Sequence, residues 1–207
     1  MPLQLVTPPT SEPLLLDDVK AHLRVDTSYD DFLIESLISA ARTYAEEKTH
    51  RSLMAQSWKL VLDSFPGPSL MGVPYGRAYS VPEHAILLER PPVTAVSSIT
   101  YLDMAGVQQT MPSTDYVVEL TSEPARITPV FGKIWPINLP QIGSVQVNFT
   151  TGYGSASAVP AGIKAWMMLR IGALYENREE VSVGSRITVQ ELPYADSLLD
   201  PWIVRAF

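Results

Sequence analysis

The stretch that decides the fold is Val159–Glu179, which reads VPAGIKAWMMLRIGALYENRE. Its apolar residues recur at steps of three and four, which predicts one buried stripe along a long helix. Pro160 suits the first helical turn, where its missing N–H has no partner. Gly172 predicts that a second helix approaches closely. The stripe consists of Ile163, Met167, Ile171 and Leu174, widened by Trp166 and Leu169.

Two further helices are predicted near the N-terminus, over Leu15–Val25 and Tyr29–Lys48. The second helix has a wide apolar face, which predicts burial against at least two neighbours. The main stripe of that face is Leu33, Leu37, Ala40, Ala41 and Tyr44, broadened by Ile34, Ile38 and Ala45. Residues 1–13 are rich in proline and are expected to be extended.

Residues 57–150 differ in pattern from the segments on either side. Side chains alternate with the two-residue period of a strand, for example from Trp58 to Asp63. Short strands are also predicted at Ile86–Glu89, Val96–Leu102, Val107–Thr110, Tyr116–Leu120, Arg126–Thr128 and Val145–Phe149. The sequence therefore predicts a β-rich insertion of roughly six strands between two helical parts.

Composition limits the classes of protein that fit. The 207 residues carry a net charge of −7, with 22 acidic against 15 basic side chains and no cysteine. No run of five basic residues occurs, so the usual basic grip on nucleic acid is not expected. Disulfides and thiolate metal sites are excluded. No run of 18 apolar residues and no signal-peptide pattern is found, so no membrane association is expected.

The residue patterns of common catalytic and metal sites are missing. Three histidines, His22, His50 and His84, have no close metal-ligand spacing, and neither a nucleophile elbow nor a P-loop occurs. The acidic run Asp26–Asp31 lacks the glycine and the bidentate glutamate of a calcium loop. A capping box fits it better, with Ser28 as N-cap and Asp31 three residues on. The sequence thus predicts no catalytic residue, no metal ligand and no cofactor.

Taken together, the chain resembles the phage head–tail connector family (adaptor or head-completion proteins), in the branch with a β-rich insertion. The family usually has glycine where His50 stands here. The order and spacing of several motifs carry the resemblance. These motifs are Leu15–Val25, Asp30–Leu33, Ala40–Arg42, Thr49–Leu53, Leu88–Val93, Asp115-Tyr116, Trp135-Pro136, Gly152–Gly154, Val159-Pro160, Ile163–Ala165 and Tyr175–Glu179.

The resemblance implies an α+β fold, a helical bundle of the head–tail connector type interrupted by a β-rich insertion. The helical core with its C-terminal tail would comprise residues 1–56 and 151–207, and the insertion residues 57–150. The implied role is structural and not enzymatic. Copies of the chain would form a ring, expected to be dodecameric, beneath the portal at the head–tail junction of the virion, after assembly in the host cytoplasm. The ring would extend the DNA channel without specific DNA binding and would dock the tail, through a stopper or tail-terminator protein.

The apolar chain end is the candidate interface, because the family's C-terminal segment tends to contact the portal. An apolar end would dock either on its own subunit or on a partner chain. The predicted portal or neighbour contacts are Tyr175, Arg178, Leu198, Leu199, Trp202, Ile203 and Phe207. Two other functions compete with the connector: a packaging factor that binds DNA, which would need a basic face, and a glycan-binding module or virion enzyme built on the insertion.

Overall fold

The structure is a computed structural model that describes residues 3–67, 84–177 and 193–204. The chain folds as two compact units. The helical unit consists of Thr10–Met54 and Tyr153–Ile203, and the β unit of Met1–Pro9, Ala55–Gly152 and Val204–Phe207. The expected α+β class is confirmed. The predicted boundaries differ from these units at the N-terminus, because Leu3–Thr7 forms a strand of the β unit.

In its described residues, the helical unit contains four helices, the last of which lies in a short C-terminal segment. Its helices are α1 (Leu16–Leu23), α2 (Asp31–Thr49), α3 (Ala161–Glu176) and α4 (Pro193–Asp196), followed by a 3-10 turn at Asp200–Trp202. The predicted stripe of α3 is buried at Ile163, Met167 and Ile171, together with Trp166, whereas Leu169 is exposed. Within the described residues, no helix has the length and apolar character needed to cross a membrane.

The buried apolar residues of α2 all belong to the predicted wide face, but they lie mainly on its predicted flank rather than on its predicted main stripe. These residues are Ile34, Ile38, Ala41 and Ala45. Of the predicted main stripe, Ala41 is buried, Leu33 and Leu37 are half-buried, and Ala40 and Tyr44 are exposed. The reason is that α2 packs chiefly against α3 and only lightly against α1, so the narrower line of branched and small side chains fills that contact.

The predicted capping box at the start of α2 is wrong. The N-cap is Asp30, and it makes no side-chain capping hydrogen bond. The two carboxylates bind distant partners instead: Asp31 accepts from Lys20 Nζ at 2.6 Å, and Asp30 accepts from the Tyr175 hydroxyl at 2.6 Å. These acids therefore tie α1 and α3 to the start of α2.

The described residues of the β unit form eight strands in two antiparallel sheets. They are β1 (Leu3–Thr7), β2 (Gln56–Leu62), β3 (Ile86–Leu88), β4 (Val93–Leu102), β5 (Gln108–Thr110), β6 (Tyr116–Glu119), β7 (Ala125–Pro129) and β8 (Val145–Thr151). The larger sheet has the order β1-β2-β8-β4-β5 and the smaller one β3-β7-β6. In the register of β2 and β8, Leu60 lies opposite Val147, and both are buried in the core of the unit.

Strand β1 was missed by the prediction. It pairs with β2, with Leu5 opposite Trp58, across a separation of more than fifty residues. Its side chains are mostly exposed, so no clean alternation marks it, and Pro8 and Pro9 follow directly. A short edge strand of this kind is defined by its partner rather than by its own pattern.

His50 ends α2 in the left-handed region, with φ of 55°. That conformation strains any residue with a Cβ and favours glycine, so a glycine would suit this turn better than His50 does. The His50 N–H bonds the carbonyl of Glu46, so the turn is kept despite this cost.

We expect His50→Gly to raise the free energy of unfolding by about 0.5–1 kcal/mol, because glycine removes the left-handed strain but adds freedom to the unfolded chain. His50→Ala keeps a Cβ and should bring no gain. Urea denaturation of both variants measures the difference. Equal stability of the glycine and alanine variants would contradict this account.

Candidate interface of the C-terminal segment

Of the seven predicted interface residues, five lie in the described part of the chain. These are Tyr175 on α3 and Leu198, Leu199, Trp202 and Ile203 in the C-terminal segment, residues 193–203. Arg178 and Phe207 lie outside the described residues. Tyr175 is separate from the other four in its bonding, since its hydroxyl donates to Asp30.

The C-terminal segment packs on the helical unit of its own chain. Leu199 is fully buried in the helical core, and Leu198 and Trp202 pack against that core while partly exposed. Ile203 is also half-buried. Leu199 is therefore a core residue in this conformation, whereas Leu198, Trp202 and Ile203 keep surface that a partner can reach.

Asp196 is the polar anchor of this segment. Its carboxylate accepts a hydrogen bond from Trp166 Nε1 at 2.9 Å and forms an ion pair with Lys48 Nζ. A second attachment lies further on, where Arg51 Nε donates to the carbonyl of Trp202 at 2.6 Å. Lys48 of α2, Trp166 of α3 and Arg51, which follows α2, thus hold both ends of the segment.

The charges at this anchor stabilise each other. The hydrogen bond from Lys48, followed by that from Trp166, lowers the pKa of Asp196 below its ordinary value of 3.8. The hydrogen bond to Asp196 raises the pKa of Lys48 above 10.5. Both groups are therefore charged throughout the neutral range.

An aromatic and cationic cluster lies beside the anchor. The Tyr44 ring stacks on Trp166 at 5.5 Å between centroids, and Arg170 lies over the Tyr44 ring at 5.4 Å. Next to Tyr44, an open groove runs along α2. It is lined by Ser36, Ser39, Ala40, Thr43, Tyr44 and Glu47. The exposed Tyr44 and the cation above it are available for contact with another chain.

Sequence reasoning missed the residues that hold the segment. Lys48 and Asp196 are separated by 148 positions, and nothing in their local pattern links them. The only available signal was that the apolar chain end needed a docking place. Among the described residues, no group of His, Asp or Glu side chains is arranged to hold a metal ion.

Gly162 lies directly beneath the C-terminal segment. A Cβ at this position would stand 3.3 Å from the carbonyl oxygen of Leu198 and 3.3 Å from Trp202 Nε1. At Gly172, the predicted close approach comes from α1, but a Cβ there would meet only His22 Nε2, at an ordinary 3.6 Å. The tighter contact therefore belongs to Gly162.

Comparison with known proteins finds one family model that matches part of the chain. Residues 14–98 match the family model described as phage gp6-like head-tail connector protein. This match confirms the resemblance to head–tail connectors over the part of the chain that contains α1, α2, β2, β3 and the start of β4. No curated protein sequence matches the chain.

Solved structures match the chain over its whole length. One is described as the neck of an empty GTA particle computed with C6 symmetry: TM-score 0.75, 23% identity, covering 100% of this chain and 97% of that one. Another, the virion of a native gene transfer agent (GTA) particle, has TM-score 0.73 and 21% identity at the same coverage. The neck of a native GTA particle computed with C12 symmetry matches at TM-score 0.71 and 22% identity, again over 100% and 97%. These likenesses establish a shared fold.

Gly162→Ala and Gly172→Ala make the same change on the same helix, and we expect only Gly172→Ala to stabilise the protein. Gly172→Ala should stabilise the protein by up to about 1 kcal/mol through helix propensity. Gly162→Ala should not show that gain, because Leu198 and Trp202 must move to make room for the new Cβ. Its free energy of unfolding should be about 1 kcal/mol lower than that of Gly172→Ala. Denaturation midpoints measure this; equal midpoints would show that the segment does not rest on Gly162.

Protonation of Asp196 should weaken the anchor. Because the folded-state pKa of Asp196 is lowered, its contribution is present above the ordinary value of 3.8 and is lost as pH falls through the lowered value. We expect Asp196→Asn to cost at most about 1 kcal/mol at neutral pH, since the ion pair is partly exposed. The cost should shrink towards zero in acid. Urea denaturation of the wild type and the variant, at neutral pH and in acid, tests this. A loss of stability that is the same in both conditions would contradict it.

Proposed function

We propose that the chain is a structural head–tail connector that forms a ring beneath the portal of a virion. The observation that carries the proposal is the family-model match over residues 14–98. The whole-length likeness to chains from structures described as particle necks supports it. The C6 and C12 symmetry stated for those necks supports a ring, and we propose twelve copies.

The charge of the chain fits a channel through which DNA passes. With a net charge of −7, a ring of these chains would repel the DNA backbone rather than retain it. We therefore propose that DNA moves through without specific binding. The role needs no catalysis, and we infer that the chain is not an enzyme.

The proposed partners are the portal on one side, a stopper or tail-terminator protein on the other, and neighbouring copies within the ring. The proposed location is the head–tail junction of the virion, reached after assembly in the host cytoplasm. We retain the C-terminal segment as the proposed portal contact, through Leu198, Trp202 and Ile203 together with Arg178 and Phe207. Leu199 would support this surface from the core, and Tyr175 would fix α3 beneath it.

Native mass measurement of the chain, alone and mixed with the portal protein of the same virus, tests the proposal. We expect a ring bound to the portal in the mixture. Ile203→Ser should weaken portal binding about tenfold, because it removes a half-exposed apolar side chain worth on the order of 1–2 kcal/mol.

Tyr29→Ser is the matched control, because Tyr29 is 89% exposed on the same unit and lies outside the proposed contact. Thermal melting of both variants checks that each remains folded. A strict monomer in every mixture would overturn the connector role. Ring formation that is indifferent to Ile203→Ser would overturn only the assignment of the portal contact.

A further inference from the structure

Among the described residues of the β unit, the most exposed apolar side chains lie in one connection between β7 and β8. In this apolar loop, residues 131–142, Phe131 is 104%, Ile134 84%, Ile137 78% and Ile142 88% exposed. Side chains of this size together expose several hundred Å², which is as large as the largest apolar patch on an ordinary monomer. Such exposure is typical of an interaction site.

The loop is held in place although its apolar side chains point outward. Trp135 is its anchor: the ring is buried, stacks on Phe65 at 4.9 Å between centroids, and donates from Nε1 to the carbonyl of His84 at 2.7 Å. Further along, the Leu139 N–H bonds the carbonyl of Leu102 at 2.9 Å, and the Gly143 N–H bonds Asp63 Oδ1 at 2.9 Å. A presentation fixed before binding lowers the entropic cost of association.

Charge indicates what covers the loop. Residues 134–142 contain no charged side chain, and the neighbouring Lys133 is paired with Asp115 at 3.3 Å. Two copies of a chain with net charge −7 repel each other. A contact between copies is therefore best made where neither surface carries charge, because like charges brought together across an interface oppose binding.

The same unit has a second uncharged apolar surface. Strand β1 contains no charged residue, is an edge strand of the five-stranded sheet, and exposes Leu5 by 47% and Val6 by 55%. A closed ring requires a head-to-tail contact between two different surfaces of the same chain. The apolar loop and β1 supply such a pair.

We propose that the apolar loop of one copy packs against strand β1 of the next copy in the ring. This inference rests on the proposed function, because it names the contact that closes the ring. The loop's exposed area of several hundred Å² is of the same order as the roughly 800 Å² that each partner buries in a standard interface. The β units thereby form one continuous belt of subunit contacts.

Cysteine cross-linking tests the pairing directly, because the chain contains no cysteine of its own. The double variant Leu5→Cys/Ile137→Cys is assembled with the portal and treated with a short bis-maleimide. We expect a ladder of linked multiples on a denaturing gel, and no ladder from either single variant. Dimers from Ile137→Cys alone would reveal a like-to-like contact and overturn the proposal.

Ile134→Ser/Ile137→Ser measures how much the loop contributes. We expect the fraction of chains in the ring to fall about tenfold or more, because two isoleucine side chains that the proposed contact buries are removed. Met104→Ser/Val107→Ser, at positions 62% and 54% exposed in the same unit, is the control and should leave the ring intact. Equal losses in both would overturn a specific role for the loop.

The two proposals fail in distinguishable ways. A wild-type chain that forms no ring with the portal would overturn the connector function and this contact together. The other case is a wild-type chain that forms the ring, an Ile134→Ser/Ile137→Ser variant that forms it equally well, and a double cysteine variant that gives no ladder. That result would overturn the contact alone and leave the connector function standing.

Discussion

The structure depends on the place where the chain leaves the helical unit after Met54 and re-enters it at Tyr153. The Tyr153 N–H bonds the carbonyl of Leu53 at 3.3 Å, and just beyond it Gln56 pairs with Thr151 as β2 and β8 begin their shared register. Because exit and re-entry are neighbours, about a hundred residues can be inserted without separating α2 from α3. The insertion costs the helical core little, since closing a loop depends only weakly on its length.

Periodicity predicted the elements that bury one face along their whole length. Helix α3 and the paired strands β2 and β8 follow this rule, because each contributes a regular line of side chains to a core. The pattern could not choose between two adjacent apolar lines on α2, since that choice is made by α3, which lies more than a hundred residues away. Strand β1 and the bonds of the carboxylates at the start of α2 were missed for the same reason, because β2, Lys20 and Tyr175 define them from a distance.

The candidate interface was predicted only in outline. An apolar chain end had to dock, and Leu199 does so in the helical core. What holds the segment is polar, the bonds of Asp196 with Lys48 and Trp166 and of Arg51 with the Trp202 carbonyl. Such bonds join residues far apart in sequence and have no local signature. Leu199 is buried in the core, whereas Leu198, Trp202 and Ile203 beside it are half-buried and keep surface that a partner can reach.

Ion pairs fix local geometry in both units, as Glu119 and Arg126 do in the β unit, but two surfaces of the β unit carry no charge. In the helical unit, acids are paired with bases: Asp31 with Lys20, Glu46 with Arg42, and Asp196 with Lys48. Such ion pairs stabilise the geometry of a single chain. Because each pair has no net charge, it adds little to the repulsion between copies. In the apolar loop, residues 134–142 contain no charged side chain, and neither does strand β1, Leu3–Thr7. If acidic subunits are to lie side by side around a DNA channel, attraction between them has to come from burial of apolar area, which is insensitive to the sign of the net charge. The uncharged surfaces of the β unit meet that requirement.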